Sequence, residues 1–498
     1  MLTVAVLTGT FLRSQDLLQP WEDGHRGSCA SLFGLMARNH LRYGFGATGG
    51  LGVLNQARSS PESFHYYTHH PQGCVLLATL GASVGGTRSG IRLIFLPLAI
   101  GIVLLVYRLA RARGRGFAAV SGAFAALAPL GVYYGAFVNF EIPTLFFTLL
   151  TLHLFLRYRR RGRKKDAVRA FITTGAAVFC DWIAIGLPLT LMVLLPLLRD
   201  GASKSRRRAS WKLTGVMFGA AALSVAISLL NVKLQTGRYG TTDSNLPYFL
   251  RVTPFGEDFD WGTWADKMTD HVQTLIGAPL AWMAVAGLLL LLWKGVRRRL
   301  DIVDVAAATM TTIGLTNVIL LGGHAAIHDF YLLYLLPAIC LLAASILPLG
   351  GTDRKTSQPP RAGLSVVATG IAVALCALLV FQSARVLEER RSFTLAAMGQ
   401  KINEVTKDGW IVFLAESYFT LQVPVAADRH VDFAPDLKTL EQRKALARYL
   451  GQTGKPMVLL VAKEREETLD PAFRDFLAAE SRRVDRGPFA MYRLGILE

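Results

Sequence analysis

Apolar runs near residues 91–108, 117–138, 142–156, 170–180, 182–198, 213–231, 275–293, 302–322, 329–349 and 364–381 leave this chain few ways to fold. Hydrocarbon offers no water to meet a free N–H or C=O, so only helices carry a backbone through such runs. The composition agrees. Of the 498 residues 52% are hydrophobic and 18% charged, against about 25% charged in soluble globular chains. A polytopic α-helical membrane protein is expected.

The formal charge is +19, and a nucleic-acid partner is the usual first thought for so basic a chain. Its placement argues otherwise. Arg108, Arg111, Arg113 and Arg115 fill one connector; Arg157, Arg159, Arg160, Arg161, Arg163, Lys164, Lys165 and Arg169 the next. Arg199, Lys204, Arg206, Arg207, Arg208 and Lys212 follow, then Lys294, Arg297, Arg298 and Arg299, then Arg354, Lys355 and Arg361. Twenty-five of the 54 basic residues thus occupy alternate connectors. Positive loops stay on the cytoplasmic side, so topology accounts for the charge and no nucleic acid is expected.

Met1–Leu12 is apolar but covers only about 18 Å as a helix. It lacks a basic n-region and a cleavage site, and reads as the outer part of a first span whose beginning is missing. That makes eleven spans, with the N-terminus inside. Residues 13–90 form the first outer loop. Because 91–108 must run inward, Gln72–Gly86 cannot also cross, and should lie along the interface as an amphipathic helix. Asp181 marks a tight turn between 170–180 and 182–198.

From Gln382 the composition turns to that of a soluble domain. Trp410–Leu414 and Pro456–Ala462 read as buried strands. Asp436–Leu450 and Pro471–Ala479 have helical periodicity, the latter opened by Asp470-Pro471. The domains expected are therefore 1–381, in the membrane, and 382–498, a small α/β domain on the outer face. Five cysteines make no disulfide framework. Cys180, Cys340 and Cys376 read as core residues, while Cys29 and Cys74 share the outer loop and can pair in an oxidising compartment.

The acids of the basic-poor connectors are the candidates for chemistry. Asp23, with Glu22 beside it, follows Trp21, an interfacial anchor by type; the plainer reading is a solvated loop carboxylate. Asn139-Phe140-Glu141 opens the apolar run Ile142–Leu156. An ionisable group there is costly and usually functional, although a carboxylate also suits a helix N-terminus. His69, His70, His328 and Asp329 face the same side. They can meet a phosphate when protonated or a divalent metal when neutral, but no spacing matches a dedicated zinc signature. Asp181 is a similar case. The Gly46, Gly49, Gly50, Gly52 cluster lacks the strand-then-helix setting of a phosphate loop and reads as a turn.

This layout resembles the GT-C superfamily of membrane glycosyltransferases, to which protein O-mannosyltransferases and lipid A aminoarabinose transferases belong. There an acidic motif opens the first outer loop, two interfacial helices follow, the second introduced by a basic residue and proline, and a second acid opens the fourth membrane helix. Trp21-Glu22-Asp23-Gly24, His70-Pro71 and Glu141 stand at those places, over roughly residues 1–380. The first motif reads Glu-Asp rather than Asp-Glu, so Glu22 is the alternative base. Glu141 replaces the commoner Asp, and Asp181 stands where many members have Lys.

The resemblance implies transfer of a sugar from a polyprenyl-phosphate donor to a hydroxyl on a glycan, lipid or protein, at the outer face of a bacterial plasma membrane. Asp23 or Glu22 would act as general base, with Glu141 the second catalytic acid. His69, His70, Asn139, Asp181, His328 and Asp329 would bind substrate. The resemblance fixes no cofactor, and a divalent metal held partly by Glu141 stays open. A transporter or flippase of a lipid-linked sugar is the rival; it expects acids near the bilayer midplane and matched halves, and neither is seen. A mere anchor for the α/β domain gives the outer acids no role. The topology predicts that a cysteine at Ser203 is shielded from an impermeant thiol reagent in intact cells and one at Gln452 is labelled. The reverse pattern would overturn it.

Overall fold

The computed structural model describes residues 1–56, 59–198, 203–237, 253–254, 259–349, 362–406, 411–414, 426, 430–433, 457–486 and 489–494. The expected helix Asp436–Leu450 and the connector around 350–361 lie outside these. The chain forms two bodies. One comprises Met1–Leu18, Gly49–Leu51 and Tyr67–Arg390; the other comprises Gln19–Thr48, Gly52–Tyr66 and Arg391–Glu498.

The first body is helical: α1 (Leu2–Ser14), α3 (Gly73–Gly85), α4 (Ile91–Ala110), α5 (Arg115–Leu127), α6 (Pro129–Tyr133), α7 (Glu141–Arg161), α8 (Lys164–Cys180), α9 (Gly186–Leu194) and α10 (Lys204–Thr236). Trp261–Leu275, Ala278–Val296, Ile302–Leu320, Leu336–Ser345 and Ala362–Glu389 follow as the longer helices of the rest. Among the described residues, five helical stretches are long and apolar enough to cross a membrane, and four shorter apolar helices accompany them. This is a multi-pass integral membrane protein.

The helix expected at Gln72–Gly86 is α3. It runs into α4 only through a break at Gly86, whose φ of +81° a side chain would disfavour. Just beyond, the chain folds close on itself: a Cβ on Gly81 would lie 2.6 Å from the Gly90 carbonyl oxygen.

The run 117–138 is not one helix. Pro129 has no N–H to offer the Ala125 carbonyl, and Ala128 leaves helical geometry with ψ +131°. Three carbonyls at the end of α5 lose their intrahelical partners in a buried place. Arg13, expected at the start of the outer loop, lies instead in the last turn of α1, buried, and supplies the donors. Its guanidinium donates to Ala126 O (2.7 Å), Ala125 O (3.3 Å) and Gly131 O (2.9 Å). Ser383 Oγ donates to Leu127 O at 2.7 Å. The helix Ala362–Glu389 therefore runs on past Gln382 and seals the same break.

The basic connectors adjoin one another. Arg113 Nε reaches Asp301 at 2.8 Å, Lys294 Nζ lies 3.3 Å from Asp304, and Arg206 donates to Arg160 O at 2.7 Å. From that end α7 runs back about 31 Å to Glu141, and α8 returns to Asp181. The candidate acids thus lie at the far ends of helices whose near ends carry the arginines.

In the second body, α2 (Gly24–Thr48) is bound to the loop after it. Asn39 Nδ2 donates to Val53 O and Asn55 O, each at 2.8 Å. The short strands β1 (Gly52–Val53) and β2 (Tyr66–Tyr67) lie in this stretch. Gln56 Oε1 then accepts from Val431 N at 2.9 Å, which attaches the loop to the C-terminal sheet. That sheet comprises β3 (Ile411–Leu414), β4 (His430–Phe433), β5 (Met457–Ala462), β6 (Ser481–Arg486) and β7 (Phe489–Leu494), in the order β4-β3-β5-β7-β6. The first three are parallel, and β7 and β6 are antiparallel additions. Alternation along β5 divides the core. Met457, Leu459 and Val461 meet Phe473 and Leu477 of the helix Pro471–Glu480. Val458 and Leu460 meet Leu395 and Ile402 of the helix Thr394–Val405. Asp470 caps the first of these helices as the sequence suggests, accepting from Phe473 N at 3.2 Å.

Arg13→Leu keeps an apolar stem but strands the carbonyls at the end of α5. An unmade buried hydrogen bond costs about 1–3 kcal/mol, and losing a buried guanidinium offsets part of that. A net loss of roughly 2–4 kcal/mol is expected, read as a clear fall in Tm of the detergent-solubilised protein, with Arg13→Lys intermediate. An unchanged Tm would mean that water serves these carbonyls.

Candidate active site

The first body gathers polar residues at four helix breaks. His70 sits between β2 and α3, its ring stacked on Phe140 at 3.9 Å between centroids. Tyr67 lies nearly parallel on it at 6.1 Å. Its Nδ1 lies 3.3 Å from Asp181 Oδ1. Asp181 ends α8 in extended geometry, φ −159°, which turns its side chain off the helix. Its other oxygen accepts from the buried Tyr334 hydroxyl at 2.9 Å. Tyr334, Asp181 and His70 therefore form one chain of polar contacts, with Nδ1 of the imidazole at the carboxylate and Nε2 left for other work.

The next residue, Trp182, fixes this corner by donating from Nε1 to His69 O at 3.1 Å. Gly73, at the start of α3, admits α8 closely: a Cβ there would meet Phe179 O at 2.5 Å. Burial first, and the neighbouring His70 second, push the His69 imidazole below its ordinary value, so His69 is neutral at neutral pH.

Glu141 is the first residue of α7 and is fully buried, within electrostatic range of Asp181. Neither of its carboxylate oxygens has a hydrogen-bond partner among the described residues. Such a group is expensive, and an apolar residue would serve packing better. Asn139, two residues earlier, is buried.

Asp329 and His328 lie on the break before Leu336–Ser345. Asp329 accepts from the Tyr134 hydroxyl and pairs with Arg390 Nη1 at 2.6 Å. His328 stacks on Phe330 at 5.3 Å. Asp329 is thus committed to an ion pair, which makes it a structural anchor of this end.

Glu22 and Asp23 belong to the second body. Glu22 is buried in an ion pair with Arg26, Oε1 to Nε 2.8 Å. Asp23 Oδ1 accepts from Leu395 N (2.8 Å), and Oδ2 from Thr394 N (2.9 Å) and Ser392 Oγ (2.5 Å). Phe393, at the N-cap of the helix Thr394–Val405, offers no side-chain acceptor; Asp23 supplies it from 370 residues away in the chain, satisfying N–H groups that would otherwise be bare.

All five cysteines are thiols. Among the described residues no three His, Cys, Asp or Glu side chains are grouped to hold a metal ion. Sequence reasoning missed Tyr334, Tyr134 and Arg390. The tyrosines stand in apolar stretches and read as core, and Arg390 stands among charged residues at a helix end.

Residues 69–229, which hold His69, His70, Asn139, Glu141 and Asp181, match the family model described as dolichyl-phosphate-mannose-protein mannosyltransferase. Comparison with curated protein sequences finds no match. Among solved structures, the chain is similar to ArnT from Cupriavidus metallidurans bound to undecaprenyl phosphate, with 12% identity, 100% of this chain and 97% of that one covered, and TM-score 0.64. The apo state of that protein aligns at 14% identity over 99% and 97%, with TM-score 0.62. The oligosaccharyltransferase of Archaeoglobus fulgidus in the apo form aligns at 14% identity over 93% of this chain and 69% of that one, with TM-score 0.59. Residues 69–229 thus resemble that mannosyltransferase family in sequence, and the chain shares the fold of ArnT over its whole length.

Proposed function

We infer that this protein moves a sugar from a polyprenyl-phosphate donor to an acceptor hydroxyl at the outer face of the membrane. The full-length likeness to ArnT carries the reading, since that protein binds undecaprenyl phosphate in its solved structure. The acids and histidines far from the basic connectors supply the chemistry. In this reading eleven helices span the membrane, α3 lies in the interface, and residues 382–498 form a domain on the outer face.

The reaction is a single displacement at the anomeric carbon. The bond to the lipid phosphate breaks as the acceptor oxygen attacks, and a carboxylate takes the acceptor proton. Asp23 is the proposed base. The departing phosphate gathers charge and needs donors. His70 provides one through Nε2 when its imidazole is protonated, oriented by Asp181 and Tyr334. Glu141, Asn139, His69 and His328 would contact substrate around it. A divalent metal could draw one ligand from Glu141, the others coming from the donor's phosphate.

Asp23→Asn takes no proton and keeps one of the two oxygens that cap the helix Thr394–Val405. Turnover of purified protein, followed as polyprenyl phosphate released from the polyprenyl-phosphate sugars tried as donors, should fall about 10²- to 10⁴-fold. Tm should fall modestly, reflecting the about 0.5–2 kcal/mol of a weakened cap, while donor binding stays near wild type. Glu22→Gln, which opens a buried ion pair, should lower Tm while costing turnover much less. Full activity in Asp23→Asn would leave Asp23 a helix cap and move the base to Glu22 or Glu141. Mass spectrometry of envelope glycans from a deletion strain identifies the sugar and acceptor.

A further inference from the structure

Helix α10 carries Lys204, Arg208 and Lys212 at successive turns, with Ser205 and Ala209 completing a groove of about 490 Å³. None of the three cations meets an acidic side chain among the described residues. Residues four apart on a helix stack on one face with about 40° of drift. Continued along α10, a broad exposed face presents Trp211, 43% exposed, Phe218 and Leu229 along one edge, and Val216, Leu223 and Leu230 along the other, all exposed. The apolar stretch Leu213–Leu230 measures about 27 Å, close to the 30 Å hydrocarbon thickness. Trp211 therefore falls at interfacial depth and the three cations at headgroup depth, directly above a helix face that acyl chains cover.

Topological charge bias accounts for basic residues in this connector. It gives no reason for three of them to share the helix face that is bare of protein below among the described residues. We propose that Lys204, Arg208 and Lys212 bind the phosphate headgroup of an anionic phospholipid whose chains lie along the exposed face of α10. A protein partner would leave the apolar face beneath the cations unused, whereas a lipid uses both. The site is at the opposite end of the helices from the acids described above and is independent of the sugar chemistry.

The test uses the whole protein in phosphatidylcholine nanodiscs containing a brominated-chain lipid, either phosphatidylglycerol or phosphatidylcholine, at equal mole fraction. The Trp211 signal is isolated as the difference from Trp211→Phe. Near a membrane surface each cation is worth about fivefold in local anionic lipid. Phosphatidylglycerol should therefore quench Trp211 at a mole fraction at least about fivefold lower than phosphatidylcholine, and added salt should narrow the gap. Lys204→Gln, Arg208→Gln and Lys212→Gln together should abolish the difference, and Lys204→Arg with Lys212→Arg should keep it. Equal quenching by the two lipids in the wild type overturns the proposal, whatever the variants do. So does a preference that survives the triple variant, or displacement by inorganic phosphate, which would mean a free-anion site.

Discussion

The first body depends on how it treats one broken helix. Between α5 and α6 a proline removes an N–H and the chain turns, leaving the carbonyls of residues 125, 126 and 127 without intrahelical partners. At membrane depth a bare carbonyl is tolerated only where protein or a wet cavity serves it. Arg13 from the first helix and Ser383 from the last helix of this body both donate here. The break is thus a junction at which the two ends of the body meet. What it yields is the irregular, wholly buried stretch from Tyr134 to Phe140, packed through Tyr134, Phe137 and Phe330, which delivers Asn139 and Glu141 to one end of α7.

The same economy recurs at the other polar residues. His70 precedes α3, Asp181 follows α8, and His328 and Asp329 interrupt the chain between two helices. Each sits where the backbone leaves regular geometry, and each break is held by a side chain from a distant segment: Trp182 on His69 O, Tyr334 on Asp181, Arg390 on Asp329. Rigid helices meeting at short irregular joints hold functional groups more firmly than a long loop would.

Which parts could be read in advance follows from the range of the forces. Hydropathy and the alternation of arginine-rich connectors are local, and hydropathy marked the apolar helices of the first body. The helix start at Asp470-Pro471 and the strands β3 and β5 are also local signals. Arg13 and Asp23 were not legible, because their partners are more than a hundred and more than three hundred residues away. Arg13 looked like the polar edge of a loop and is a buried cap. Asp23 read as a catalytic loop acid, and its hold on the helix Thr394–Val405 was not visible. β6 and β7 escaped because Ser481–Arg486 is mostly polar, an edge strand paired on one side only. Tyr334 was hidden by its apolar neighbours, since a buried hydroxyl announces itself only through its acceptor.

The two acids at the site end differ in a way that bears on their work. Asp181 is held between a tyrosine hydroxyl and an imidazole, so its negative charge is already served and its orientation fixed. Glu141 is buried deeper and its oxygens have no partner among the described residues. Desolvating a carboxyl without hydrogen bonds costs several kcal/mol, of which the N-terminus of α7 offsets only part. In the proposed reading such a group gains its partner when the donor arrives. Under the proposed reading, Asp181 acts at one remove, by orienting His70, whereas Glu141 is the acid that meets substrate. A residue that only shaped the pocket would need no charge; one that receives a hydroxyl, an ammonium or a phosphate-bound cation does.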